Sequence, residues 1–251
     1  MGKLLQLLDG ISQGIPKPFG FLAKESKAGR SILFIGTGLE GEPRFTQRLK
    51  DVEFDALILI PSQKETENGS IKGLDERIAV GICADRLPLE TPKNIDFEIF
   101  SSAETLASAL AKEDRTVVMQ WDPDLDDRVL RTIEDLPVDA FFISLTEVVN
   151  LNVHHLMRIS RVHMYHSKHL LLELPILPSS DELRILKEIG VSGLVVRVAE
   201  HSAKDLQELS VLLDQLPLKP LRKRSERPTG TVPSVDIEME EEFDDFDDFF
   251  L

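Results

Sequence analysis

The chain has 251 residues, of which 42% are hydrophobic and 29% charged, with 14 Gly, 14 Pro and a formal net charge of −15. This describes a folded chain of one large domain or two small ones and excludes collagen, coiled coil and wholesale disorder. One cysteine and six scattered histidines exclude an intramolecular disulfide and show no zinc-site spacing, which points to a reducing, cytoplasmic setting.

Residues 1–30 hold a short apolar helix candidate (Leu4, Leu5, Leu7, Leu8) followed by Pro16, Pro18, Phe19 and Phe21, and are expected to form a cap segment. The start Met1-Gly2-Lys3-Leu4-Leu5-Gln6 lacks the Ser or Thr of a myristoylation signal. No apolar run approaches the ~20 residues of a bilayer span, so neither export nor anchoring is expected. From residue 31 a repeated pattern begins, a short run of Val, Ile, Leu and Phe followed by a polar or amphipathic stretch. Eight such runs occur, at 32–36, 56–60, 79–83, 97–100, 116–121, 140–145, 170–174 and 194–198. Helical patterns are expected at 43–52, 103–113, 125–136, 148–165, 180–189 and 203–216.

Near-continuous apolar strands alternating with helices mean a parallel sheet covered by helices. Eight units within residues 31–216 match a (β/α)8 TIM barrel, short against the typical length of about 250. The deficit falls after strands two and three, where Asn68-Gly69, Gly73, Pro88 and Pro92 break helical periodicity. The rival, an open doubly wound sheet, usually has about five to seven strands and gives no reason for eight.

Beyond residue 216 the composition shifts, and 217–251 is expected to be a disordered tail, first basic and then acidic and aromatic. Residues 219–227 contribute +4 and residues 236–251 contribute −9, so residues 1–218 carry −10. An acidic body repels phosphate backbones and disfavours duplex nucleic acid as a partner of the barrel.

Strand parity assigns side chains to the barrel interior, since positions facing the helices must be apolar. It turns Leu171 and Glu173 inward on strand seven, Val195 and Arg197 on strand eight, and Ser144 on strand six. The same reading places Gln120 and Asp122 inward on strand five, Glu98 on strand four, and Cys83 and Asp85 on strand three. Barrel enzymes carry their chemistry at the carboxyl ends of strands. Glu173 and Asp122 are therefore the candidate general bases, Arg197 the candidate anion anchor, and Asp85, Ser144 and Gln120 candidate substrate contacts. Against this stands a purely structural reading, in which Glu173 and Arg197 form an interior ion pair.

The mouth residues Asp85, Asp122 and Glu147 would suit a hard cation such as Mg²⁺, but equally a solvated loop, and no metal ligand set is assigned. The absence of lysine from all eight runs argues against a strand-borne Schiff base. Cys83 reads as a buried core thiol rather than a nucleophile. His163, His166 and His169 run into strand seven at the amino-terminal rim, while His154 and His155 are expected mid-helix on the surface.

The segment LLLELPILPSSDELRILKEIGVSGLVVRVAEHSAKDLQELSVLLDQL, residues 170–216, resembles the last two units of the phosphate-binding aldolase-type barrels. The resemblance implies the barrel fold and a lyase or isomerase acting on a small anionic metabolite. The turn Glu188-Ile189-Gly190-Val191-Ser192-Gly193 is kept. Leu174-Pro175-Ile176 and Arg197-Val198-Ala199-Glu200 stand where that group has phosphate-binding glycine turns, leaving Arg197 to hold an anion as a fork.

The last eight residues, Asp244-Asp245-Phe246-Asp247-Asp248-Phe249-Phe250-Leu251, resemble the acidic tip of bacterial single-stranded-DNA-binding proteins. This implies a protein partner docked through Phe246, Phe249, Phe250 and Leu251. A second function therefore competes with the first, a non-catalytic barrel acting as a binding or scaffold module with the tail as its hook. Apolar residues on strands two and three (Leu57, Leu59, Val80, Ile82) also suggest a homodimer through a thinly covered flank.

Overall fold

The computed structural model describes residues 2–13, 30–39, 41–61, 77–87, 94–111, 115–121 and 127–217. Each apolar run forms a strand: β1 (Leu33–Leu39), β2 (Ala56–Ile60), β3 (Ala79–Ala84), β4 (Phe97–Ser101), β5 (Thr116–Gln120), β6 (Ala140–Ser144), β7 (His169–Leu174) and β8 (Val191–Arg197). Every strand pairs in parallel with the next, and β8 pairs with β1, so the sheet closes into an eight-stranded barrel. Among the described residues six helices accompany it: α1 (Lys3–Gln13), α2 (Pro43–Asp51), α3 (Asp127–Thr132), α4 (Val153–Tyr165), α5 (Ser180–Glu188) and α6 (Ala203–Asp214).

Two helical expectations change. In place of a helix over 103–113 there is a short 3-10 turn, Ala107–Ala111. Arg115 donates to the Ala109 carbonyl and the Thr105 hydroxyl accepts from the Leu87 amide, and these tethers hold the segment in a tight turn. Helix α4 starts at Val153 rather than near residue 148 because Asn152 caps it. Its side chain accepts from the His155 amide at 3.0 Å while His155 Nδ1 accepts from the Asn152 amide at 3.3 Å. His154 and His155 therefore lie in the first turn, not mid-helix. The segment Glu188–Gly193 turns from α5 into β8 through Gly190, whose φ of +99° favours glycine.

The core has two layers. Inside the barrel lie Leu33, Ile35, Ile58, Ile99, Phe142 and Val195 among others, closed at the amino-terminal end by Leu4 and Leu8 of α1. Outside, the helix-facing side chains include Phe34, Leu57, Leu59, Phe141, Leu172 and Val196. Leu57 and Leu59 are thus buried within the chain, while Val80 and Ile82 are half-buried.

Glu98 corrects the parity reading of β4. Phe97 and Ile99 belong to the interior and Glu98 points outward, paired with Arg115 at 2.8 Å, both side chains almost fully buried. The ring of Phe97 finds room inside because Gly81, on the neighbouring strand, has no side chain. A Cβ there would lie 2.2 Å from the ring.

Three strand junctions share one device. Asp55, Asp96 and Asp139 immediately precede β2, β4 and β6. Each donates its amide to a carbonyl of the preceding strand (Phe34 2.9 Å, Val80 2.7 Å, Val117 2.9 Å). Each carboxylate then accepts from the amide of that same residue, at 2.8, 2.9 and 2.8 Å. These two-bond clamps satisfy backbone groups at the strand entrances that the ladder alone leaves open. Beside the first clamp, Arg30 donates to Asp55 at 3.0 Å, to Asp214 at 2.6 Å and to Ser210 at 2.7 Å. One guanidinium thus ties the entrances of β1 and β2 to α6.

Candidate functional site

At the carboxyl ends of β6, β7 and β8 the alternation of apolar and polar residues brings Ser144, Glu173 and Arg197 together. The registers place Ser144 opposite Glu173, Glu173 opposite Val195, and Thr37 opposite Arg197. Glu173 is buried, 6% exposed, and both its oxygens are engaged: Oε1 accepts from Arg197 Nε at 3.0 Å and Oε2 from the Ser144 hydroxyl. A buried carboxylate with a guanidinium and a hydroxyl partner meets the condition under which such burial is tolerated.

The outer edge of Arg197 is exposed differently. Its Nη1 meets Glu200 at 3.3 Å, and the Glu200 side chain is 49% exposed. The 3-10 turn Val198–Glu200 that follows β8 makes this contact, because side chains three residues apart eclipse in that geometry. The guanidinium pKa is raised, foremost by its bond to Glu173 and further by Glu200.

The other expected site residues are less closely joined. Cys83 is half-buried on the inward side of β3, packed against the interior core. Burial, followed by the negative charges of Glu173 and Asp85, pushes its thiol up to about 11. It is therefore a protonated thiol at neutral pH, as the reading against a nucleophile requires. Asp85 and Gln120 are exposed at the ends of β3 and β5. Asp122 and the tail residues Phe246, Phe249, Phe250 and Leu251 lie outside the described residues. Two contributors escaped the sequence reading: Thr37, 3% exposed on β1, and Glu200. The first is signalled by a hydroxyl amid Gly36 and Gly38, the second by its i,i+3 spacing from Arg197.

Iodoacetamide should alkylate Cys83 slowly at pH 8 and accelerate only toward pH 11, whereas the urea-unfolded chain reacts readily near pH 9, the ordinary thiol range. A folded protein that reacts as fast as the unfolded one at pH 8 would contradict this burial. By linkage, the protection of the neutral thiol stabilises the fold below pH 9 and is lost as pH rises through about 11.

His166 and His169 sit away from this mouth. His166 is buried against Trp121 and Phe141, with Nδ1 3.3 Å from Glu134, and burial lowers its pKa. His169 faces Asp9 of α1 at 3.1 Å. Among the described residues no three His, Cys, Asp or Glu side chains gather as a metal site. Nor is any helix among them long and apolar enough to cross a membrane.

A closed parallel barrel with its polar side chains at the strand carboxyl ends defines a (β/α)8 TIM-barrel protein. Comparison with solved structures finds the same fold. The chain is similar to tryptophan synthase from M. tuberculosis in an open form with BRD0059 bound, at TM-score 0.54 and 10% identity over 85% of this chain and 98% of that one. It is also similar to the tryptophan synthase complex from Pyrococcus furiosus, at TM-score 0.51 and 12% identity over 73% and 97%. A mutant tryptophan synthase alpha-subunit from the same hyperthermophile gives TM-score 0.51 and 13% identity over the same shares. Identities this low show the fold alone. No family model and no curated protein matches the sequence.

Proposed function

We propose that the protein is a lyase- or isomerase-type barrel acting on a small anionic metabolite at the carboxyl-terminal mouth. The observation that carries this reading is the asymmetric environment of Arg197. Its inner edge is fixed by buried Glu173, while among the described residues its outer edge meets only half-exposed Glu200. A solvent-exposed pair of that kind contributes about 0–1 kcal/mol, so a substrate carboxylate or phosphate can displace Glu200 and take the guanidinium fork. Glu200 then acts as a resident anion that leaves when the ligand arrives. Glu173, with Ser144 on its other oxygen, stands where a general base would move a proton, from a substrate carbon through the Ser144 hydroxyl or directly. The loss of the glycine turns favours recognition by a side chain over recognition by backbone amides. The similar tryptophan synthase structures add the aldolase-type fold to this reading and no substrate.

The test pairs binding with exchange. Triose phosphates, pentose phosphates and small 2-oxo acids are titrated in deuterated water, recording affinity by calorimetry and loss of substrate C–H signals by NMR. Arg197→Met should weaken binding about ten- to a hundred-fold, the worth of a hydrogen bond to a charged group. Glu173→Gln should leave binding within a few-fold and slow exchange by about 10²–10⁴. Binding without exchange would favour the second reading, a non-catalytic barrel serving as a binding module, for which full engagement of both Glu173 oxygens speaks. Binding that is indifferent to Arg197→Met, or absent across the panel, overturns the proposal.

A further inference from the structure

The clamps at the strand entrances follow the barrel in quarters. The pairs Ile35 with Ala56, Gly81 with Phe97, and Val118 with Ala140 are preceded by the clamp aspartates Asp55, Asp96 and Asp139. A cation accompanies each. Asp55 has Arg30 at 3.0 Å, Asp96 has Lys3 at 3.4 Å, and Asp139 lies in the field of Lys168. The fourth quarter, β7 with β8, pairs Leu171 with Gly193 in the same way, which puts Ser192 where the other three quarters have an aspartate. The ladder is irregular there, shifting register between Leu170 and Leu171.

The cation of the fourth quarter is present without its acid. A cavity of about 210 Å³ opens beside Ser192, bordered by Lys168, Lys187, His163, His169 and Ser31. Lys187 Nζ donates to Ser31 Oγ at 3.1 Å, and that hydroxyl donates onward to the Pro217 carbonyl at 3.0 Å. Among the described residues no carboxylate pairs with Lys187, and burial alone lowers its pKa. Among the described residues Lys168 commits one N–H, to the Leu136 carbonyl at 2.6 Å, and keeps two donors. Two acids reach the lining residues from outside the cavity and are engaged there, Asp9 with His169 at 3.1 Å and Glu134 with Ser167 at 2.8 Å and with His166. The volume is several times the ~30 Å³ share of one water molecule, enough for an oxyanion with a few carbon atoms.

We propose that this cavity, at the amino-terminal rim, binds a small oxyanion, a phosphate or carboxylate group that occupies the place of the missing fourth aspartate and is held by Lys187, Lys168 and Ser192. Fixed ammonium groups with unspent donors favour such a group, and an aspartate carboxylate is what fills the equivalent space three times over. The site is independent of the mouth, because it uses neither Glu173 nor Arg197.

The full-length protein is titrated with sodium phosphate and, separately, sodium acetate, against sodium chloride at matched ionic strength. Thermal unfolding and the backbone amide resonances of residues 190–193 are followed. One or both oxyanions should raise the melting temperature and shift those resonances, and the relative size of the two responses tells phosphate from carboxylate. Lys187→Met should weaken the response at least ten-fold. Ser192→Asp should raise the melting temperature without added anion and abolish the response, since it supplies the fourth carboxylate. Arg197→Met should leave the shifts at 190–193 unchanged. Amides that ignore both anions, or a Lys187→Met protein that responds like the parent, overturn the proposal. If Ser192→Asp does not fold, the Lys187→Met comparison alone decides.

Discussion

Arg115→Leu is expected to destabilise the protein by about 3–5 kcal/mol, the usual consequence of removing one partner of a buried ion pair. Glu98 and Arg115 are 1% and 2% exposed in their side chains, and the pair lies between β4 and the outer layer rather than in the barrel mouth. Without the guanidinium, Glu98 loses its ion pair at 2.8 Å while staying buried. The same substitution removes the donor to the Ala109 carbonyl, so the turn should loosen as well. Urea unfolding gives the loss directly. Replacing both residues, Glu98→Met with Arg115→Leu, should recover most of it, because well-packed apolar pairs of similar volume often match a buried salt bridge. A single-variant loss below about 1 kcal/mol would mean that water or another cation reaches Glu98.

The second large effect concerns the amino-terminal plug. Leu4 and Leu8 are completely buried and belong to the same cluster as Leu33, Phe97 and Leu171 inside the barrel. Each Leu→Ala change should cost about 2–5 kcal/mol, combining lost transfer energy with the cavity left behind. Since a domain has only about 5–15 kcal/mol in total, the double variant Leu4→Ala with Leu8→Ala should lose fixed tertiary packing. Near-ultraviolet circular dichroism and the melting midpoint report this. As a control, Val149→Ser on the exposed surface, where Val149 is 79% exposed, should change neither. A double variant as stable as the parent would show that α1 rests on the barrel without sealing it.

Much of this architecture can be read in the sequence because a barrel buries both faces of its strands. Continuous Val, Ile, Leu and Phe runs are therefore visible without any alternation. Parity can be read where large aliphatics alternate with a polar residue, as in Leu170 to Leu174, and there it places Glu173 and Arg197 on the interior side where they pair. It fails in Phe97-Glu98-Ile99-Phe100, where the choice depends on space left by Gly81 on another strand. Helix starts depend on caps, so Asn152 decides where α4 begins although the apolar pattern extends upstream. The aspartate clamps leave a trace in the sequence: an apolar residue, Asp and the first strand residue recur at 54–56, 95–97 and 138–140. Their purpose is plain only when the amides of Phe34, Val80 and Val117 are seen to donate to these carboxylates.

The Arg30 junction has a bearing on how the chain folds. It joins groups 184 residues apart in sequence, Arg30 and Asp214, beside the seam where β1 meets β8. Neighbouring strands elsewhere meet after a much shorter excursion of chain, so those pairings can form early, while the seam has to await nearly everything between its two sides. Contacts so distant in sequence slow folding because the intervening chain is ordered before they reward it. Interactions formed that late are absent from the rate-limiting state and act mainly as a brake on unfolding. In kinetic terms the three bonds of Arg30 form a latch. They influence how long the closed ring lasts far more than how quickly it assembles, and opening of the native barrel should start along this line.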